Sequence, residues 1–230
     1  PALGAVALAE ALRRAKATPE VVDEVVMGCV LQAGVGQNPA RQAALRAGLP
    51  PTISACTVNK VCGSGLEAVM RAAQTIRAGD AELIAAGGME SMSNAPHLLT
   101  GTRTGWKFGE QKAIDAMIHD GLWCALENWH MGEAAEHIAA KFGVSREEQD
   151  RFSAQSQQRA ASAWQSGHFH EEIVAVTVGA GAKARVVERD EGIRPETTAE
   201  SLAKLRPAFK QGGTVTAGNA STLSDGAAAV

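Results

Sequence analysis

The chain has 230 residues, 45% of them hydrophobic, which suffices for one large domain or for a domain carrying a sizeable insertion. A formal net charge of −3 excludes binding to nucleic acid or an anionic membrane by charge alone, and no run approaches the ~20 apolar residues of a membrane span. The four cysteines, at 29, 56, 62 and 124, form no CxxC pair and no metal-ligand spacing, so a reducing, cytoplasmic setting without a metal cofactor is expected.

Taken in order, residues 2–16 carry Leu3, Val6, Leu8 and Leu12 at helical spacing and end in Arg13, Arg14 and Lys16, as suits a helix C-terminus. The pattern is already helical at Pro1, so residues beyond both ends are expected. Thr18-Pro19-Glu20 starts a short helical turn, and the apolar run 25–31 reads as a strand buried on both faces. Asn38-Pro39 caps a helix over 40–47. The glycines Gly34 and Gly36 before it lack the full G-x-G-x-x-G fingerprint, so a dinucleotide site is not inferred.

Residues 53–58 form a short strand, and Leu66, Val69, Met70, Ala73 and Ile76 recur as a helix closed by Gly79. Between them, Asn59-Lys60-Val61-Cys62-Gly63-Ser64-Gly65 puts Cys62 on a glycine-rich turn at the mouth of that helix. Unpaired N–H groups at a helix start favour a thiolate and can hold a developing oxyanion. Cys62 is therefore a candidate nucleophile that would form a thioester with an acyl group, the alternative being a buried cysteine that acts as a small hydrophobe.

A strand over 81–86 runs into a Gly87-Gly88 turn, where backbone must lie close to something. From 98 to 144 strand-like alternation is lost and Gly, Trp and His become frequent, which reads as an inserted loop subdomain with short helices, one of them near 114–118. His130, Glu133 and His137 do not form H-E-x-x-H, so no metal is assigned to them, and His168 and His170 beside Glu171 and Glu172 read as a solvated segment. Ser145 with Glu148 is a capping box opening a long helix, and 173–178 with 184–187 form a hairpin. Arg194 lies in a loop, where a guanidinium can pair with phosphate or serve as an ordinary surface charge. The chain closes on an apolar run, Gly226–Val230, that reads as a strand.

Five phrases in this order resemble the thiolase family, in its acetyl-CoA acetyltransferase branch. They are Asn59-Lys60-Val61-Cys62-Gly63-Ser64-Gly65, Gly87-Gly88-Met89-Glu90-Ser91-Met92-Ser93, His130-Met131-Gly132, the Ile193-Arg194-Pro195 and Leu205-Arg206-Pro207-Ala208-Phe209 pair, and Thr216-Ala217-Gly218-Asn219-Ala220-Ser221. The last continues into Leu223-Ser224-Asp225-Gly226, where Ser224 stands in place of the family's Asn.

The resemblance implies an α/β thiolase-like layered fold, with a mixed five-stranded sheet flanked by helices and an inserted loop domain. It divides the chain into 1–97, the first part of the N-terminal domain without its first strand; 98–212, the loop domain; and 213–230, the return to the core. The C-terminal thiolase domain is not in this sequence. The implied reaction is reversible condensation of two acetyl-CoA to acetoacetyl-CoA and CoA through an acetyl-cysteine on Cys62. By the same resemblance, Arg194, Ser201, Ser221 and Leu223 border coenzyme A, and His130 and Met131 border the acyl end. No cofactor is implied beyond the coenzyme A thioesters themselves.

A homodimer or homotetramer is implied as well, with the loop Leu98 to Phe108 where tetramer contacts lie. The family's G-H-P, Asn-Glu-Ala-Phe and C-x-G-G-G phrases do not occur in these residues, so the chain by itself is expected to turn over little. Three alternatives stay open: a 3-ketoacyl-CoA thiolase of broader chain length, a ketoacyl synthase, and a catalytically silent thiolase-like fragment.

Overall fold

The computed structural model describes residues 1–230, apart from the side chain of Ala182. Two compact units emerge: Pro1–Gly121 with Leu223–Val230, and Leu122–Thr222.

The first unit begins with helix α1 (Ala2–Ala15), ended by Lys16 in the left-handed region. Strand β1 (Glu24–Gly28) is shorter than the apolar run suggests. It stops because the Glu90 carboxylate takes the N–H groups of Val30 (2.9 Å) and Leu31 (3.0 Å), which a longer strand would have offered to a neighbour. Helix α2 (Pro39–Arg46) starts as the Asn38-Pro39 pair dictates, with the Asn38 side chain accepting from the Arg41 N–H. Strand β2 (Ser54–Val58) and helix α3 (Ser64–Ala78) follow, α3 closing on Gly79 at φ 82°.

Strand β3 (Ile84–Ser91) corrects one expectation: Gly87-Gly88 is not a turn but lies within the strand. Two short strands, β4 (His97–Leu99) and β5 (Ala113–Asp115), pair antiparallel, and Met117–Leu122 is a single wide helical turn. Ile114 therefore belongs to a strand and not to the expected short helix.

The second unit holds the small hairpin of β6 (Trp123–Cys124) and β7 (Trp129–His130), then helix α4 (Met131–Phe142) and helix α5 (Arg146–Gln165). The Ser145–Glu148 capping box is present, with both of its hydrogen bonds formed. Strands β8 (Val176–Val178) and β9 (Arg185–Val187) form the anticipated hairpin, and α6 (Ala199–Ala203) is a short helix.

This unit has little apolar core and is tied by buried carboxylates instead. Glu136, 7% exposed, accepts from Thr214 and Val215. Asp150, 2% exposed, pairs with Arg146 and accepts from the Asn219 amide. Arg146 in turn donates to the Leu202 and Leu205 carbonyls.

Strand β10 (Asp225–Ala229) returns to the first unit, giving a mixed sheet in the order β10-β3-β1-β2. β1 pairs parallel with β2 and β3, and β10 pairs antiparallel with β3. The sheet is mixed and flanked by helices, as the resemblance implies; among the described residues it has four strands where five were expected.

Alternate residues of β1 serve the two faces. Val25 and Met27 pack with Leu8 and Leu12 of α1 and Ala40, Ala43 and Ala44 of α2. Val26 packs on the other face with Val58, Ala86, Ala68 and Ala72, the last two from α3. The buried positions of α3 are small, Ser64, Ala68 and Ala72. Its larger apolar residues are exposed: Leu66 by 67%, Met70 by 47% and Ile76 by 42%.

Candidate functional site

The turn between β2 and α3 is built by short-range polar contacts. The Asn59 side chain accepts the Val61 N–H at 2.9 Å. Ser64, 4% exposed, accepts the Lys60 N–H through Oγ at 2.8 Å and donates to the Val61 carbonyl at 2.6 Å. Lys60 Nζ reaches forward to Glu67 at 2.7 Å, and Arg71 holds the other oxygen of that carboxylate at 2.9 Å.

These restraints close the turn with Val61 at φ 48°. A β-branched residue in the left-handed region is strained, and such strain persists only where its surroundings over-determine it. The turn is rich in glycine, yet its left-handed residue is Val61 and neither Gly63 nor Gly65.

Cys62 follows Val61 directly and is exposed, so the buried-hydrophobe alternative does not hold. It precedes the N-cap Gly63 of α3. Among the described residues its backbone N–H has no hydrogen-bond partner, which leaves a donor free beside the sulfur. Such a turn presents a thiol to an incoming carbonyl and supplies a donor for the oxyanion that forms.

Glycines seat α3 on the sheet. A Cβ at Gly28 would lie 2.5 Å from the Ser64 carbonyl carbon and 2.6 Å from Gly65 N, and one at Gly88 would lie 3.3 Å from Gly65 Cα. A Cβ at Gly87 would run into the Ala228 backbone of β10. The Gly-Gly pair in mid-strand thus admits a helix start at one residue and a neighbouring strand at the other.

The remaining cysteines differ from Cys62. Cys29 is buried against Glu90; burial, with that carboxylate beside it, pushes its thiol up to about 12. Cys56 is exposed on β2, and Cys124 is half-buried. All four cysteines are free. Asp225 anchors β10: it accepts from Ser91 Oγ (2.9 Å) and Ser93 N (3.0 Å). Burial pushes its carboxyl up, but these donors outweigh it and hold the group below its ordinary value.

In the second unit His130 is the N-cap of α4. Its Nδ1 accepts the Gly132 N–H at 2.9 Å, and its own N–H donates to Glu133 at 2.9 Å. Met131, the first residue of α4, is 41% exposed. Arg194 is exposed, with its backbone N–H on Gln157. Ser201 serves a third capping box: it accepts from Thr198 N and donates to the Thr198 carbonyl at 2.8 Å. Ser221 is exposed in the loop that Asn219 braces through Thr216 N and Asp150. Leu223, 61% exposed, begins the return to the first unit.

His130, Met131, Arg194, Ser201 and Ser221 thus all belong to the second unit, and Cys62 and Leu223 to the first. A cleft of about 1040 Å³ in the second unit, lined by Phe142, Phe152, Gln158 and Thr198 among others, includes none of these residues in its wall.

Sequence reasoning did not single out Ser64, Gly28 or Phe209. Ser64 and Phe209 stand inside phrases quoted for other residues, and only their contacts reveal them. Among the described residues no group of three or more His, Cys, Asp or Glu could hold a metal ion, and no helix is long and apolar enough to cross a membrane.

The sequence profile of the thiolase N-terminal domain matches residues 1–230. Acetyl-CoA acetyltransferases of Chromobacterium violaceum and Cupriavidus necator are each 54% identical over the whole chain, and that of Escherichia coli K12 is 52% identical over 99% of it. The chain spans 59%, 59% and 58% of the length of these curated relatives. Among solved structures, the acetyl-CoA acetyltransferases of Bacillus anthracis and Syntrophomonas wolfei superpose with a TM-score of 0.95 each, at 39% and 41% identity, covering 99% of this chain and 57% of theirs.

Proposed function

Because the chain belongs to the thiolase family, as its N-terminal domain, we propose that it is the nucleophile-bearing part of an acetyl-CoA C-acetyltransferase. The observation that carries this reading is the turn at Cys62: an exposed thiol after a strained residue, with an unpaired N–H, on a helix start seated on glycines.

In the proposed reaction the Cys62 thiolate attacks the carbonyl carbon of acetyl-CoA. The carbon–sulfur bond to coenzyme A breaks, and coenzyme A leaves as a thiol after taking a proton. The Cys62 N–H stabilises the oxyanion of the tetrahedral intermediate. A second acetyl-CoA loses an α proton; its carbanion attacks the acetyl-cysteine, forming a carbon–carbon bond and releasing Cys62 and acetoacetyl-CoA. Thiolysis runs the same steps in reverse. The bases for these proton transfers belong, by family resemblance, to the G-H-P and C-x-G-G-G phrases, and a further oxyanion hole to the Asn-Glu-Ala-Phe phrase, none of which occurs in these residues.

Arg194, Ser201, Ser221 and Leu223 are the proposed contacts to coenzyme A, and His130 and Met131 those to the acyl end. The reading calls for no cofactor beyond the coenzyme A thioesters and sets the reaction in the cytoplasm. It includes a homodimer or homotetramer, which the exposed Leu99, Trp106 and Phe108 support. The exposed apolar face of α3 is suited to pack against the remainder of the enzyme.

Thiolysis of acetoacetyl-CoA by the chain extended to the length of its relatives tests the reading. Cys62→Ser is expected to lower turnover at least about a thousandfold. Retention of activity by that variant, or a requirement for acyl-carrier-protein thioesters, would overturn it.

A further inference from the structure

The proposal deepens the reading above and rests on it for the identity of the substrate. Helix caps are ordinarily Ser, Thr, Asp or Asn, each of which satisfies the first N–H groups of a helix with one short side chain. Here the cap of α4 is a histidine. Its Nδ1 accepts the Gly132 N–H at 2.9 Å, and Glu133 completes the box by accepting the His130 N–H at 2.9 Å.

A ring nitrogen that accepts a hydrogen bond carries no proton, so the single proton of the neutral imidazole sits on Nε2. The cap leaves Nε2 uncommitted. A serine or asparagine in this place would cap the helix without offering a second ring nitrogen.

A second restraint comes from Phe209, in the segment between α6 and β10. Its ring stacks on the His130 ring, with centroids 4.9 Å apart and planes inclined by 23°. Phe209 also fills the space beside Gly132: a Cβ built on that buried glycine would run into its ring. The absence of a side chain at 132 is what lets Phe209 lie over the first turn of α4 and against the histidine. The cap fixes which nitrogen faces the helix, and the stack fixes the plane of the ring in which that cap bond can form, so the tautomer depends on both.

We propose that Phe209 is a positioning residue that, with the Gly132–Glu133 cap, holds His130 as an Nε2–H hydrogen-bond donor to the carbonyl oxygen of a short acyl-CoA. In this arrangement His130 is not a proton acceptor in the reaction. Phe209 acts through His130 and need not touch substrate.

Two readouts test it. Side-chain ¹⁵N–¹H spectra of histidine-labelled chain at alkaline pH read the tautomer without substrate or turnover. The expected result is a protonated Nε2 and a bare Nδ1 for His130 in the wild type and in Phe209→Tyr. In Phe209→Ala and Phe209→Leu, the second of which keeps most of the apolar volume, a mixture of tautomers is expected. In the chain extended to the length of its relatives, Phe209→Leu is expected to lower kcat/KM for acetoacetyl-CoA about five- to tenfold, the worth of one hydrogen bond, with recovery in Phe209→Tyr.

A wild-type proton on Nδ1, or an unchanged tautomer in both ring-less variants, would overturn the positioning role. An unchanged kcat/KM in a variant whose tautomer is mixed would overturn the donor role and leave Cys62 acylation standing. A wild-type chain extended to the length of its relatives that shows the Nε2–H tautomer but no thioester turnover would refute the enzymatic reading, and with it the donor role.

Discussion

Gly28→Ala should disturb the candidate nucleophile from the strand on which α3 sits. Gly28 is the last residue of β1, and a methyl group there would lie 2.5 Å from the Ser64 carbonyl carbon, 2.6 Å from Gly65 N and 2.8 Å from Ser64 Cβ. Carbon atoms rest at about 3.5–4.0 Å, so the start of α3 or the end of β1 must retreat by roughly an ångström. Both are backbone, and Ser64 also clamps the Lys60–Val61 turn, so the strain cannot relax through a flexible side chain. Overpacking of this kind costs about 1–3 kcal/mol. An ångström of displacement at a reacting group costs on the order of a hundredfold in rate.

The matching control is Gly226→Ala, where a Cβ meets nothing within 4 Å and the residue lies in β10. Urea unfolding reads the stability change. Alkylation of Cys62 against exposed Cys56, followed by peptide mapping, reads the local one. A Gly28→Ala chain with the midpoint of Gly226→Ala and an unchanged ratio of Cys62 to Cys56 labelling would refute the seating argument.

Three further outcomes follow from particular contacts. Ser64→Ala should cost about 1 kcal/mol in urea unfolding, because the Lys60 N–H loses its acceptor; a change within experimental error would show that the turn holds without it. Val61→Gly should raise stability by about 1 kcal/mol by relieving a β-branched residue at φ 48°, and should lower Cys62 acylation by loosening the turn; a destabilised variant would show that Val61 is not strained. Burial pushes the Glu136 carboxyl up, but the Thr214 and Val215 N–H donors outweigh it, so its folded value lies below the usual 4.5. Its contribution to stability is therefore complete above pH 4.5 and is lost as pH falls through the folded value. Glu136→Gln should cost about 1–3 kcal/mol at neutral pH and show a shallower loss of stability in acid, read by thermal melts across pH. Equal acid slopes would contradict that assignment.

Features with a local cause were legible in the sequence. Asn38-Pro39, Ser145 with Glu148, and Gly79 each carry their instruction within one helical turn, and the structure places helix ends at all three. Features caused from far along the chain were not. β1 ends at Gly28 because a carboxylate on β3 competes for the next N–H groups. Gly87-Gly88 reads as a turn locally, yet it lies within a strand because α3 and β10 both approach there.

The apolar stripe of α3 shows the same limit in another form. Helical spacing located the helix, but the face it buries in this chain is the one with small residues, since only those let the backbone sit on Gly28 and Gly88. For the candidate site, the thiol at the mouth of a helix was legible from its strand–turn–helix context. The left-handed Val61 was not, because the restraints on it come from Asn59, Ser64 and Lys60 acting together. Phe209 escaped because its partner, His130, is distant in sequence.

The central claim is that Cys62 takes the acyl group from a coenzyme A thioester. The most direct test exposes the chain, extended to the length of its relatives, to acetyl-CoA and maps the modified peptides by mass. The account predicts one acetyl group on the peptide holding Cys62, none on those holding Cys29, Cys56 or Cys124, and no label in Cys62→Ala. Acetylation that persists in Cys62→Ala, or an unlabelled Cys62 in a chain that turns over acetoacetyl-CoA, would contradict it.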